Sequence, residues 1–179
     1  MSTLEIDKLC YEYINDHKAY SAPLFYRGYP KSCCTSANHI VCHGIPSKKI
    51  LNNGDIINVD VTAIKDGWHG DTSRMYVVGE CSVKAKKLIK TTYEAMMKAI
   101  NIIKADIKIG NIGYTIQSIV EAEGFSVVRD FCGHGLGEVF HAPPSVLHYG
   151  EAGKGTVLQE GMFFTIEPMI NTGDWRVKI

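Results

Sequence analysis

The chain has 179 residues, with 19 Lys and Arg against 19 Asp and Glu for a formal net charge of zero, and 45% of it is hydrophobic. That length accommodates one domain with a sizeable core, and the balanced charge, free of any basic block, excludes an electrostatic nucleic-acid surface. No apolar run is long enough to span a bilayer and no signal-peptide pattern opens the chain, while six irregularly spaced cysteines (Cys10, Cys33, Cys34, Cys42, Cys81, Cys132) match neither a zinc finger nor a disulfide framework and point to a reducing cytoplasm.

Ser2 and Glu5 predict a capping-box start to a first helix, in which Ile6, Leu9, Cys10, Tyr13, Ile14 and His17 recur at helical spacing. Residues 20–32 read as a loop rich in Pro, Gly and Tyr, followed by short strands over 33–36 and 40–43. Residues 55–64 read as a strand, Asp66-Gly67 as a hairpin turn and 68–78 as the return strand. Ser82 then caps a long amphipathic helix whose Leu88, Thr92, Ala95, Met96, Ala99 and Ile103 share a face. A second helix is expected from about 112 to 123, with Ile112, Ile116, Ile119 and Val120 inside and Gly124 ending it. Residues 125–131 suit a strand, a loop holding His134, His141 and Pro143-Pro144 follows, and residues 162–170 read as the last strand. No linker or low-complexity segment intervenes, so one α/β domain over 1–179 is expected.

Two segments share a template. Leu51-Asn-Asn-Gly54 runs through a short strand to Asp60, and Leu158-Gln-Glu-Gly161 runs through another to Glu167, with the acid six residues after the Gly each time. A His-Gly step precedes each copy, at His43-Gly44 and His134-Gly135. A strand-terminal acid is costly to bury unless it is paired or binds a cation, so duplicated acids with upstream histidines point to a metal site at a pseudo-twofold interface. Strand alternation puts Ile56, Asn58, Asp60 and Thr62 on one face and Ile57, Val59, Val61 and Ala63 on the core face. With a two-residue turn at 66–67, Thr62 lies opposite Asp71, and Asp60 sits diagonally from Asp71 with Cα atoms roughly 7–8 Å apart. Side chains from that separation can share two cations about 3.5–4 Å apart. Taken singly, each feature has a plainer reading: Asp as a turn former, Gly133-His134-Gly135 as a tight turn, His141 as a surface residue. Jointly, two Asp on one face of one hairpin and the repeated template favour the metal.

Val41-Cys42-His43-Gly44-Ile45-Pro46, Asn58-Val59-Asp60-Val61-Thr62, Gly70-Asp71-Thr72-Ser73, Cys132-Gly133-His134-Gly135-Leu136-Gly137 with His141, and Phe164-Thr165-Ile166-Glu167-Pro168-Met169 closely resemble the type I methionine aminopeptidases in order and spacing. The resemblance runs from Ser2 to about Asn171. It implies the pita-bread α/β fold, a mainly antiparallel curved sheet with helices on its outer face and an internal pseudo-twofold repeat. It further implies removal of the initiator methionine from nascent proteins in the cytoplasm, by a monomer using two divalent cations (Co, Mn, Fe, Zn or Ni) and docking transiently on the ribosome. By the same resemblance Asp60 and Asp71 are metal ligands with Asp71 bridging, and His134 and Glu167 are further ligands. His43 contacts the substrate's backbone nitrogen, His141 steadies the oxyanion, and Glu167 accepts a proton from the attacking water. Tyr26, Tyr29, Cys34 and Phe140 line the methionine pocket, a slot of rings and a thiol suited to a thioether.

Family members carry one more bridging Glu on a strand beyond the matched region and a helix ahead of the segment at Ser2, so the last strands are expected to be missing and both ends read as cut. Two other functions compete: a non-catalytic pita-bread binding module, and a metallohydrolase acting on X-Pro peptides. Retention of the Asp and His ligands weighs against the first, and Cys42-His43-Gly44-Ile45-Pro46 with the pocket residues weighs against the second.

Overall fold

Ser2 and Glu5 close the expected capping box in the computed structural model, which describes residues 1–178: Ser2 Oγ accepts from the Glu5 amide at 3.2 Å and Glu5 Oε2 accepts from the Ser2 amide at 2.6 Å. Helix α1 spans Thr3–Asp16. Its inward face keeps Ile14 of the predicted stripe but otherwise differs from it, for Leu9 and Tyr13 are 55% and 68% exposed while Thr3 and Asp7 are buried. The reason is polar docking. The Asp7 carboxylate accepts from the Ser32 amide at 2.8 Å, the Ser32 hydroxyl and the Cys33 amide at 3.3 Å, and the amides of Thr3 and Leu4 donate to Lys49 and Ser47 carbonyls. Hydrogen bonds, beside the burial of Ile14, fix this helix and satisfy its first-turn donors at the same time.

Contacts group the chain into two units, the first comprising Met1–Ala85 with Gly137–Phe140 and the second Lys86–Leu136 with the described residues from His141 onward. In the first unit β1 (Tyr20–Ser21), β2 (Cys34–Ala37), β3 (Ile56–Lys65) and β4 (Trp68–Val77) form one antiparallel sheet. β4 runs the full length of one edge of β3, so β2 and β1 follow one another along the other edge, with Cys34 opposite Asp60 and Ser21 opposite Ala63. The β3–β4 hairpin keeps the predicted register, Thr62 opposite Asp71, and turns through Asp66 and Gly67, both at positive φ. The two faces of β3 are not polar and apolar as alternation predicts. Thr62 on the acid face is buried, whereas Val59, Val61 and Ala63 are only half-buried. Residues 40–43 form no strand, because Asn38 and His43 both turn to positive φ and leave the extended conformation.

α2 (Val83–Asn101), capped by Ser82 Oγ on the Ala85 amide at 3.2 Å and assigned to the second unit from Lys86 onward, and α3 (Gly110–Ala122) of that unit follow the predicted spans closely. α3 buries Ile112, Ile116 and Val120 completely, against Ala95 and Ala99 of α2 and Phe125, Val146 and Leu158. Each of the two isoleucines contributes roughly 1.5–3 kcal/mol by leaving water. The expected strand over 125–131 is paired only at β5 (Ser126–Val127), with β8 (Ile170–Asn171). Gly133–Gly135 is a strand, β6, not a tight turn, and it pairs with β7 (Ala142–Val146). Residues 162–170 are extended but no continuous ladder: the Thr165 amide donates to His134 O, the Leu136 amide to Phe163 O, and the Val128 amide to Met169 O. Pro168 has no N–H to give, and the segment changes partners across it.

Candidate metal centre

In the first unit the acids arrive as the hairpin dictates. Asp60 lies opposite Ser73 and Asp71 opposite Thr62, so the two carboxylates are same-face diagonal neighbours. β2 brings Cys34 directly across from Asp60, 8% exposed. Burial, followed by the charges of Asp60 and Asp71, pushes the Cys34 thiol up to about 11, so it stays protonated and behaves as a soft apolar group rather than a nucleophile. The Tyr29 hydroxyl reaches Cys34 and also stands 3.0 Å from Cys33 O and 3.1 Å from Gly44 O. Its ring is thereby fixed in place. Tyr26 and Phe140 pack with ring centroids 5.0 Å apart, and His69 stacks on Phe140 at 5.4 Å while its Nδ1 lies 2.9 Å from Gly137 O. The four predicted pocket residues therefore fall into two contacting pairs, Tyr29 with Cys34 and Tyr26 with Phe140.

His43 stands at φ +54°, a conformation that costs a non-glycine residue energy and persists only when its surroundings impose it. The next residue imposes it. The Gly44 amide donates to Ser36 Oγ at 3.1 Å and its carbonyl accepts from the Thr35 amide at 2.8 Å, and a Cβ on Gly44 would meet Thr35 O at 2.3 Å. Only glycine lets this segment close on β2 and present His43 where it is. Desolvation lowers the pKa of the His43 imidazole, which favours a neutral ring near neutral pH.

In the second unit His134 and Glu167 meet. Thr165 ties them together: its hydroxyl accepts from the His134 amide at 3.0 Å and donates to Glu167 Oε1 at 2.6 Å. His134 Nδ1 lies 3.0 Å from Gly135 O, which can only accept, so Nδ1 carries hydrogen, and Nε2 is turned toward Glu167 Oε1, 3.5 Å away. An imidazole oriented through Nδ1, with Nε2 turned toward a carboxylate, is the usual arrangement of a ligand His. Gly133 and Gly135 flank His134 because a Cβ on either would strike the carbonyl of Thr165 or Pro143. The His141 ring lies beside that of His134, centroids 4.3 Å apart. The candidate ligands thus come as one pair in each unit, and among the described residues no third His, Cys, Asp or Glu completes a cluster within either unit.

Three residues at these positions were not singled out by sequence reasoning. Thr165 could have been found, being on the face of Glu167 two residues earlier. His148, fully buried with Nε2 accepting from the Glu167 amide at 3.1 Å, carries no local signal, and neither does His69.

The profile of Metallopeptidase family M24 matches residues 1–179. A methionine aminopeptidase of Rickettsia prowazekii (strain Madrid E) is 57% identical over 175 residues, covering 98% of this chain and 68% of that protein. The crystal structure of a methionine aminopeptidase from Thermotoga maritima superposes with a TM-score of 0.98 at 40% identity, over 99% of this chain and 72% of that one. A prolidase from Pyrococcus furiosus is more distant, with a TM-score of 0.69 and 27% identity over 79% of this chain and 42% of that one. The fold is therefore the pita-bread α/β fold.

Proposed function

Since the chain belongs to metallopeptidase family M24 and, within it, to the methionine aminopeptidases, we propose that it removes the N-terminal initiator methionine from nascent proteins and peptides, with preference for a small second residue. The observation that carries the reading is the β2–β3 register, which sets the protonated Cys34 thiol across from Asp60 with the Tyr29 hydroxyl upon it. A soft apolar slot adjoining a candidate ligand carboxylate suits a methionine whose scissile bond must lie close to the cations.

Membership in a metallopeptidase family implies divalent metal. We assign Asp60, Asp71, His134 and Glu167 as the residues that would hold two such ions, with Asp71 serving both. Three carboxylates and one imidazole suit Mn, Fe or Co at least as well as Zn. When bound, such ions supply an acidified water and polarise the scissile carbonyl. The chain's own groups do the rest. Thr165 holds Glu167 oriented, and the Glu167 carboxylate takes the proton released by the attacking water. His141 donates to the oxyanion as it develops, and His43, neutral and held rigid by Gly44, receives the backbone nitrogen of the substrate. Tyr26, Tyr29, Cys34 and Phe140 take the methionine side chain; the Tyr29 hydroxyl is occupied with backbone carbonyls, so its ring face does the contacting.

The setting we assign is a cytoplasmic monomer meeting nascent chains at the ribosome. It accords with the absence, among the described residues, of any helix long and apolar enough to cross a membrane. The test is release of free methionine from a Met-Ala-Ser peptide against cleavage of an X-Pro peptide, each with added Mn or Co. Methionine release is expected. Cleavage of the X-Pro peptide alone would move the chain to the prolidase-type reaction, and metal binding without either turnover would make it a binding module.

A further inference from the structure

The two contacting pairs assigned to the methionine slot are held by different means. On one side the Tyr29 hydroxyl is fixed by the carbonyls of Cys33 and Gly44. On the other side stands Phe140, and a benzyl group has no polar atom by which to be oriented, so its position must come from packing. β4 supplies that packing through His69. The His69 and Phe140 rings stack at an interplanar angle of 15°, and Phe140 in turn meets Tyr26 at 58°, with all three rings half-buried. His69 is itself anchored. Its amide donates to Gly137 O at 2.8 Å, and its Nδ1 lies 2.9 Å from the same oxygen, which can only accept, so Nδ1 carries hydrogen. Two donors of one residue thus converge on one carbonyl. By contacts Gly137–Phe140 belongs to the first unit, whereas Leu136 before it and His141 after it belong to the second. This four-residue strap is therefore held to β4 at its first residue by hydrogen bonds and at its last by a ring stack, and His69 makes both. Strand alternation also sets His69 on the face of Asp71, two residues along β4.

We propose that His69 is a positioning residue that sets the side-chain selectivity of the slot: it backs the Phe140 ring against Tyr26 and so keeps the slot at the width of an unbranched chain. The bonds to Gly137 O orient the imidazole, and the imidazole face then blocks Phe140 from swinging away from Tyr26. A methionine side chain, unbranched and thin, enters between rings held in this way, whereas the forked end of leucine needs the wall to yield. Without the His69 ring, Phe140 gains room to turn, the wall yields, and the slot admits both. Because a slot width matters only if the substrate is an N-terminal methionine, the proposal rests on the peptidase reading given above.

The test compares the full chain with His69→Ala, His69→Asn and His69→Phe, and it has one readout that needs no turnover. Each protein is made with 4-fluorophenylalanine at its six Phe positions, and the fluorine line of Phe140 is assigned by its loss in Phe140→Tyr. That line should move toward its unfolded-chain position in His69→Ala and His69→Asn and stay near its original position in His69→Phe, which keeps a ring to stack. The second readout is the ratio of kcat/KM for Met-Ala-Ser over Leu-Ala-Ser at saturating Mn. One aromatic stack is worth a factor of about 2–12, so the ratio should fall by that factor in His69→Ala and His69→Asn, through KM more than kcat, and recover in His69→Phe. If His69→Ala loses its helical circular dichroism, the Asn and Phe variants decide between them. An unmoved Phe140 line, or a methionine preference that survives in His69→Asn and is lost in His69→Phe, would overturn the positioning role. Absence of methionine release from the unaltered chain would overturn the peptidase reading instead, and with it the substrate assigned to the slot.

Discussion

His148 is sealed from solvent, with Nε2 accepting from the Glu167 amide at 3.1 Å. Nδ1 must then carry the proton of the neutral ring, and among the described residues it has no hydrogen-bond partner. Protonating Nε2 would destroy the one hydrogen bond the ring makes and place a full charge in an apolar site, and burial accordingly pulls the pKa from 6.5 down to about 4. As pH falls, the unfolded chain takes up this proton near 6.5 and the folded chain only near 4, so the unfolded state binds more protons between those values. Stability is fully present above about 6.5, declines down to about 4 and is level below. Over that interval, at about 1.36 kcal/mol per pH unit, the loss is of order 3 kcal/mol. Against a typical domain stability of about 5–15 kcal/mol this is a large fraction. Urea unfolding at pH 7, 5.5 and 4 measures it, with His148→Gln as control, since a Gln oxygen can accept from the Glu167 amide but does not titrate. The unaltered chain should lose of order 3 kcal/mol more than the variant across that range. Equal pH slopes for the two would refute the assignment of a neutral, buried His148, whatever the variant's absolute stability.

Two further outcomes follow from the second unit. Thr165→Val removes the hydroxyl joining the His134 amide to Glu167 Oε1, and Mn affinity measured by titration calorimetry should fall about 10–100-fold with helical circular dichroism unchanged. His141→Ala should lower kcat on Met-Ala-Ser by on the order of 10²–10³ at saturating metal while leaving Mn affinity intact, and a lost affinity with normal saturated turnover would make His141 a ligand instead.

The parts of this structure legible in the sequence are those whose cause is local. Asp66-Gly67 fixes a two-residue turn, the turn fixes the register, and the register places Asp60 diagonally from Asp71, so that half of the candidate site follows from a few consecutive residues. The template repeat is equally local, and both of its glycines, Gly54 and Gly161, take positive φ ahead of their acids. The extent of β5 and of residues 162–170 was not legible, because ladder length depends on which distant segment is available to accept. Residues 162–170 bond to β6 on one stretch and to residue 128 on another, and a propensity scale sees neither partner.

The inward face of α1 shows the same limit in its sharpest form. Spacing selects Leu9 and Tyr13 because an apolar stripe is the usual means of docking a helix. Here the docking group is Asp7, and its burial is tolerable only because Ser32 and Cys33, 25 and 26 residues away, supply donors to its carboxylate. An aspartate reads as a surface residue until those donors are known, since an unpaired buried carboxylate would be strongly destabilising. The same reasoning holds for Cys34, whose place opposite Asp60 is set by the β2–β3 pairing and by no feature of its own neighbourhood. Chemistry carried on one hairpin can be read from composition and alternation. Chemistry assembled by a long-range hydrogen bond becomes visible only when the chain is folded, which is why the diagonal placement of Asp60 and Asp71 was legible in the sequence and the bonds of Thr165 and His148 to Glu167 were not.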